Sequence, residues 1–238
     1  MGLPTRLWAI AADLACEYDV TVHDYYFING NPTLTDKNGV YCEARASRDE
    51  RCFEHYPIPV SAEIWRRNQL GLLAGASRVI FPSFDTRHRF LKDFSLDNTV
   101  VAWHPDSKHS ARHPSPLFKY DRSSKRKLRV LILGAISREK GADLLEQVAD
   151  SLNGRSITFH LLGYAYRPLS NSVVTHGPYL LDELNAKIEA INPDVVWFPA
   201  QWPETYSYTL STALELGLPV VVPNIGAFSE RVAGRALS

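Results

Sequence analysis

The sequence predicts an α/β fold in which two parallel sheets are each covered by helices, the first of them incomplete. Two observations carry this expectation. The second half of the chain alternates short, unbroken apolar runs with amphipathic helical stretches. The first half repeats the alternation but supplies only three strand-like runs, few for a doubly wound sheet.

In the second half the apolar runs are "RVLIL", "ITFHLL", "SVV", "DVVWF" and "LPVVV". They are rich in β-branched residues and do not alternate with polar ones, as in strands buried on both faces of a parallel sheet. Between them, Leu144, Leu145, Val148, Ala149 and Leu152 share one helical face, and Leu181, Leu184, Ile188 and Ile191 share another. Strand, helix, strand in repetition implies parallel pairing with right-handed crossovers. In the first half, Leu7, Ile10, Ala11, Leu14 and Ala15 make an amphipathic helix, and "DVTVHDYYF" reads as a strand with a loop after it. A turn-rich segment covers residues 29–59. Then "AEIWRRNQLGLLAGA" is helical, "RVIFPS" a strand, "DTRHRFLKDF" helical and "TVVAW" a strand. The segment "HPDSKHSARHPSPLFKYDRSSKRK" is rich in Pro, Ser and basic residues and reads as a linker. The expected organisation is a domain over 1–105, a linker over 106–127 and a second domain over 128–238.

Composition narrows the function classes. The 238 residues carry 26 acidic and 26 basic side chains, so no global field points to nucleic acid. Three cysteines, an odd number in a chain of ordinary core composition, fit reduced thiols in a cytoplasm better than a disulfide scaffold. No apolar run reaches membrane-spanning length, and the N-terminal stretch lacks a signal-peptide core. The expected location is cytoplasmic, with peripheral contact to the inner face of a membrane as an option. Lys125, Arg126 and Lys127 are the basic cluster such a contact would use, although a solvated linker is the preferred reading. Cys42, Cys52 and His55 invite a metal reading, but their spacing lacks the short cysteine pair of common zinc sites, and no metal is expected.

The polar residues of interest follow strands, where parallel α/β sheets bind ligands. After "RVLIL" comes "GAISREKG", with Gly134, Arg138, Lys140 and Gly141. Glycines admit close backbone approach, and a lysine near a helix start can neutralise phosphate. The segment is neither a Walker loop nor a G-x-G-x-x-G fingerprint, and a solvated loop with a rim lysine explains it equally well. After "DVVWFPA" comes "QWPETYSYTLSTALELGLPVVVPNIGAFSERV". A helix is expected from near Tyr206 to Leu216, ended by Gly217 and Pro219. Its N-terminus is a candidate cradle for pyrophosphate, helped by the Ser207 and Thr209 hydroxyls. A carboxylate facing phosphate is repelled, so Glu204 is expected to accept hydrogen bonds from sugar hydroxyls. On the residues alone, Lys140 and Glu204 mark a generic phosphate site.

These segments resemble glycosyltransferase family 4, the retaining enzymes of GT-B fold. "WPETYSYTLSTALELGLPVVVPNIGAFSERV" looks like that family's E-x7-E region, and "LRVLILGAISREKGADLLEQVAD" like the opening of its nucleotide-binding domain. "VTVHDYYFINGNPTLTDKNGVYC" and "RVIFPSFDTRHRFL" resemble the end of its acceptor-side domain. The resemblance implies two Rossmann-type domains and transfer of a sugar, with retention, from a nucleoside-diphosphate sugar to a glycan or lipid-linked glycan, as in polysaccharide or O-antigen synthesis. It implies that Lys140 contacts the donor phosphates, that Glu204 binds the donor sugar and that His23 faces that sugar. The backbone of Thr205, Tyr206, Ser207, Tyr208, Thr209 and Leu210 matches the pyrophosphate-binding turn. No divalent ion and no cofactor is implied.

Three departures stand out. The second glutamate position falls on Thr212, where the family contacts the ribose, and Glu215 lies one helical turn further on. The arginine often found after the first glycine is Ala135, with Arg138 near enough in sequence to replace its charge. The chain also lacks the family's opening strands and closing helices, so it is expected to be an internal section of a longer enzyme, or to associate with a chain that completes the acceptor domain. A catalytically inactive nucleotide-binding remnant is the alternative, and a sugar-nucleotide epimerase is a third reading.

Overall fold

The structure, a computed structural model, describes residues 10–42, 52, 55–105 and 126–235. The chain divides into two compact units, one of Met1–Pro105, Trp202–Tyr206 and Ile225–Arg231, the other of Asp106–Gln201, Ser207–Asn224 and Val232–Ser238.

The first unit holds a three-stranded parallel sheet in the order β1 (Asp19–Thr21), β2 (Arg78–Phe81) and β3 (Thr99–Val101). Around it lie α1 (Ile10–Asp13), α2 (Tyr26–Asn29), α3 (Ala62–Gly75) and α4 (Phe84–Phe90). Ser61 and Ser83 cap α3 and α4, their side chains accepting from the Ile64 and Thr86 N–H groups, which satisfies orphan donors of each first turn. Val22, Leu73, Val79, Phe81 and Phe90 are fully buried. Two expectations change here. The strand expected over "DVTVHDYYF" stops at Thr21, and Tyr26–Asn29 turns into a short helix closed by Gly30 at φ +78°. Of the apolar face expected on the first helix, Ile10 and Ala15 are exposed and Leu14 is 69% exposed. Leu7 lies outside the described residues.

The second unit holds a five-stranded, all-parallel sheet in the order β6-β5-β4-β7-β8. Its strands are β4 (Leu128–Ile136), β5 (Ile157–Ala165), β6 (Val173–Gly177), β7 (Val195–Trp197) and β8 (Val220–Val221). The helices α5 (Ala142–Ser151), α6 (Leu184–Ile191) and α7 (Tyr208–Glu215) fall between strands, whereas α8 (Ala227–Val232), next after β8 in the chain, belongs to the first unit up to Arg231. Consecutive β4 residues Val130, Leu131, Ile132 and Leu133 are all buried, which is why the run shows no polar alternation. Val130 and Ile132 pack with Ala142, Leu145 and Ala149 of α5 and with Phe159, Leu161 and Val173. On α6, Leu184, Ile188 and Ile191 are buried as expected, but Leu181 precedes the helix and is 86% exposed, so it leaves the expected face. The start of β4 is tied to the start of β7. The buried Asp194 carboxylate accepts from the Arg129 N–H at 2.7 Å and binds both terminal nitrogens of Arg126. Arg126 is thereby paired within the protein rather than left as part of a solvated basic run, while Lys125 lies outside the described residues.

The cysteine reading is corrected. Cys42 and Cys52 form a disulfide, with Cα atoms 6.5 Å apart, and Cys16 is exposed and outside that bond. Both chain stretches approach Asn31, whose side-chain amide donates to the Thr35 and Cys52 carbonyls at 2.7 and 3.0 Å, and this holds the sulfurs within bonding range. The disulfide occupies two of the three ligands weighed for a metal. No group of three or more metal-ligating side chains occurs among the described residues. No described helix is long and apolar enough to cross a membrane.

Candidate functional site

At the carboxyl edge of the second sheet, β4 and β5 end in a close glycine pair. Gly134 pairs with Gly163, at φ +98° and +136° respectively. A Cβ on Gly163 would collide with the Gly134 carbonyl, so only glycine fits there. Strand β4 runs on to Ile136, so Gly134 and Ala135 belong to the strand, whereas the sequence suggested a loop. The structure brings Gly134 to the first turn of α7: a Cβ on Gly134 would lie 3.1 Å from the Thr209 methyl.

Lys140 sits in the tight turn that starts α5. The Gly141 N–H donates to the Arg138 carbonyl at 2.9 Å, and the Ala142 N–H to the Ser137 carbonyl at 3.1 Å. Gly141, at φ +85°, lies against the Pro199 carbonyl, and the Gln201 N–H donates to the Glu139 carbonyl at 2.8 Å. Lys140 is therefore carried beside the loop that leaves β7. Arg138 is engaged by protein groups. It pairs with Asp143 at 3.2 Å and donates to the Tyr166 hydroxyl at 3.3 Å, with its guanidinium over the Tyr166 ring. Arg167 bonds Asp143 at 2.6 Å and Glu146 at 2.7 Å. Burial pushes the Asp143 carboxyl up, but hydrogen bonds from Tyr166 and Arg167 and the nearby guanidinium charges outweigh it and hold the group below its ordinary value.

Helix α7 begins at Tyr208 and is capped by Ser207, whose hydroxyl accepts from the Leu210 N–H at 3.3 Å. Two of the expected pyrophosphate ligands thus meet each other. The Thr209 hydroxyl lies 3.2 Å from that of Ser207. The Thr212 hydroxyl donates to the Tyr208 carbonyl at 3.4 Å, and Glu215 is exposed.

Glu204, Thr205 and Tyr206 fall in the first unit, with His23. The Thr205 hydroxyl donates to the His23 carbonyl at 2.6 Å, just past β1. The His23 ring stacks on His104 with centroids 5.0 Å apart, and His104 meets the Tyr206 ring edge-on at 5.1 Å. The Tyr206 hydroxyl donates to the His104 carbonyl at 3.3 Å, and the Arg231 guanidinium lies 4.2 Å from the Tyr206 ring centroid. Glu204 is buried. Its carbonyl accepts from the Ala227 N–H at 2.8 Å, and Gly226, at φ +67°, packs so closely that a Cβ there would lie 2.6 Å from that carbonyl oxygen. His104, Gly226 and Arg231 went unflagged in the sequence. The rule that pointed to His23, a polar residue just past a strand, also points to His104 after "TVVAW".

No protein-family model matches the chain, and no curated protein matches it. Solved structures do. Anabaena HepE in complex with UDP and glucose shares 16% identity at a TM-score of 0.61, over 95% of this chain and 59% of that one. The same protein in complex with UDP-glucose gives 19% identity at a TM-score of 0.61, over 95% and 58%. Sucrose-phosphate synthase from Thermosynechococcus elongatus gives 16% identity at a TM-score of 0.59, over 96% and 56%. The chain thus spans less than three fifths of the length of each of these structures. At these identities the likeness speaks to architecture alone, and the architecture is α/β and GT-B-like, with two Rossmann-type parallel sheets of which the first is incomplete.

Proposed function

We propose that this chain is the donor-binding part of a retaining glycosyltransferase that moves a sugar from a nucleoside-diphosphate sugar to a glycan or lipid-linked glycan acceptor. The observation that carries the reading is the second unit's carboxyl edge. In a GT-B fold it presents Lys140 in the turn after β4 and the capped start of α7 after β7, where anionic ligands of parallel sheets bind. In this reading Lys140, Arg138 and the Thr205–Leu210 backbone stabilise charge that develops on the leaving diphosphate. Glu204 accepts hydrogen bonds from the donor sugar, and His23 faces that sugar and helps orient its anomeric carbon toward the acceptor hydroxyl. The leaving phosphate takes the acceptor proton, so no protein base is assigned. HepE was solved with UDP and with UDP-glucose, which makes uridine the first base to test.

A second reading, donor binding without turnover, is favoured by one observation. The contacts expected from a second glutamate and an early arginine fall to Thr212, bonded to its own helix, and to Ala135. Thermal unfolding with UDP, GDP, ADP and CMP tests binding. A nucleotide at a hundredfold excess over its Kd stabilises by about 2.7 kcal/mol, a rise of roughly 5–10 °C. Lys140→Ala weakens the effect of the nucleotide that shifts, and Glu204→Ala weakens the sugar nucleotide more than the bare diphosphate. No shift with any of the four, in a folded sample, refutes both readings. Release of UDP from UDP-glucose with a glycan acceptor separates transfer from binding alone.

A further inference from the structure

On the sheet face opposite α5, a cavity of about 450 Å³ opens between the strands and α6. It is lined by Arg129 of β4, His160 and Leu162 of β5, His176 of β6, and Lys187, Ala190 and Ile191 of α6. It lies apart from the carboxyl edge described above. Arg129 is the second residue of its strand, and His160 pairs with Leu131, three positions before the Gly134–Gly163 pair, or about 10 Å along the strand.

The two histidines are a pair. Their rings lie nearly parallel, and His160 Nδ1 is 3.0 Å from His176 Nε2. The proton arrangement follows from the neighbours. The Thr158 hydroxyl donates to the Leu128 carbonyl at 3.4 Å, so at 3.2 Å it accepts from His160 Nε2–H. His160 Nδ1 is then an acceptor, and His176 Nε2–H donates to it. This leaves His176 Nδ1 as the pair's open ring nitrogen. Positive charge surrounds the pair. Arg129 donates to the Ile191 carbonyl at 2.9 Å through one nitrogen, and Lys187 pairs with Glu183 at 3.1 Å while reaching the Pro178 carbonyl at 3.4 Å. Asp194, whose carboxylate accepts from the Arg129 N–H, is also bonded to Arg126. Burial holds His160 below the ordinary histidine range, and the charges of His176 and Arg129 add to it; burial does the same to His176. A dianion in the cavity reverses that penalty.

We infer that this cavity is a binding site for a small phosphate monoester, its dianionic head held by Arg129, Lys187 and the His160–His176 pair and its body lying on Leu162, Ala190 and Ile191. A transition-metal ion fits less well. The two rings already bond each other, no third metal-ligating side chain groups with them among the described residues, and Arg129 and Lys187 repel a cation. Binding adds a solvent proton to His176 Nδ1, which turns it from an acceptor into a cationic donor, so affinity rises as pH falls toward the ester's own second pKa of about 6 and levels off below it, where the free ester already carries that proton.

The test is a titration of the whole chain with phenyl phosphate, followed by the side-chain ¹⁵N resonances of its histidines, beside arms with inorganic phosphate, benzoate and sodium chloride at matched ionic strength. Phenyl phosphate is expected to move His160 and His176 saturably, with proton uptake on His176, and to bind more tightly than inorganic phosphate. Lys187→Gln and His176→Gln, at positions that do not build the core, are each expected to weaken it about tenfold, the loss of one charged hydrogen bond. Shifts no larger than those from the chloride arm overturn the site. Unchanged affinity in Lys187→Gln overturns the head-group assignment. Benzoate binding as tightly as phenyl phosphate overturns the preference for a dianion, and inorganic phosphate binding as tightly overturns the ester body. None of these readouts depends on donor binding at the carboxyl edge.

Discussion

Replacing Gly163 by alanine isolates the contact that shapes the end of β4. Two costs are expected. At φ +136° an L-residue occupies backbone space that is nearly glycine-only, which costs about 1–3 kcal/mol. The new Cβ also meets the backbone of Gly134 rather than a side chain that can move aside, and overpacking of this kind adds about 1–3 kcal/mol. The sum is about 4 kcal/mol, a fall in Tm of about 8–16 °C in a protein of this size. Gly154→Ala is the internal control. Gly154 sits at φ +82° with nothing within 4 Å of an added Cβ, so it carries only the left-handed backbone cost of about 1–2 kcal/mol. Calorimetric unfolding of the two variants reads the difference. Gly163→Ala is expected to lose at least twice as much stability as Gly154→Ala. Equal losses would mean that the Gly134 carbonyl yields freely, and the argument that this approach sets the strand end would fail.

Other outcomes follow from the same contacts. Asp194→Ala strands Arg126 and the Arg129 N–H. Arg126 keeps 29% side-chain exposure and can reach water, so the loss is expected near the low end for a broken buried pair, about 3 kcal/mol by denaturant titration. The Cys42–Cys52 bond closes a short loop with a sequence separation of 10, worth about 3 kcal/mol through the unfolded chain. Unfolding with and without reductant measures it, and identical curves for an oxidised, thiol-blocked sample and a reduced one would show that no such bond acts. The Asp143 carboxyl is held below its ordinary value in the folded protein. Its contribution is thus present above the unfolded pKa of about 4 and is lost as pH falls through the folded value. The stability gap between the protein and Asp143→Asn, measured from pH 7 downward, is expected to close on the acid side. A gap that stays constant below pH 4 would reject the pairing.

The second unit was readable because its strands are buried on both faces. "RVLIL" has no polar residue after Arg129, so its run of burial from Val130 to Leu133 shows directly in the letters. The first unit was harder. "DVTVHDYYF" keeps β-branched and aromatic residues past Thr21, yet the chain turns at Asp24, whose carboxylate accepts from the Tyr26 N–H at 2.8 Å and starts a helical turn. Leu181 misled because helical spacing fits it, while the helix starts only at Leu184. The disulfide could not be read from Cys42 and Cys52, because what pairs them is Asn31, more than ten residues upstream of Cys42, and its two carbonyl contacts. At the candidate site, Lys140 and the α7 start were legible from their places after strands. Gly226 was not, because its role is a packing distance to the Glu204 backbone.

The Arg138 network gives that candidate site a property that the sequence hid. Ala135 carries no charge, and the proposed diphosphate role falls to Lys140 and Arg138, yet Arg138 is paired with Asp143. Taking a guanidinium away from a carboxylate is costly when the acid is left alone. Here it is not left alone. Arg167 bonds Asp143 at 2.6 Å and Glu146 at 2.7 Å, and the Tyr166 hydroxyl donates to Asp143 at 2.8 Å. If Arg138 swings toward a diphosphate, Asp143 keeps a charged partner and a hydroxyl donor. The exposed setting of Arg138 screens what Coulomb energy is lost. The two guanidiniums and two carboxylates of this cluster balance, so a ligand that draws Arg138 away leaves Arg167 to serve both acids, with the Tyr166 hydroxyl still on Asp143.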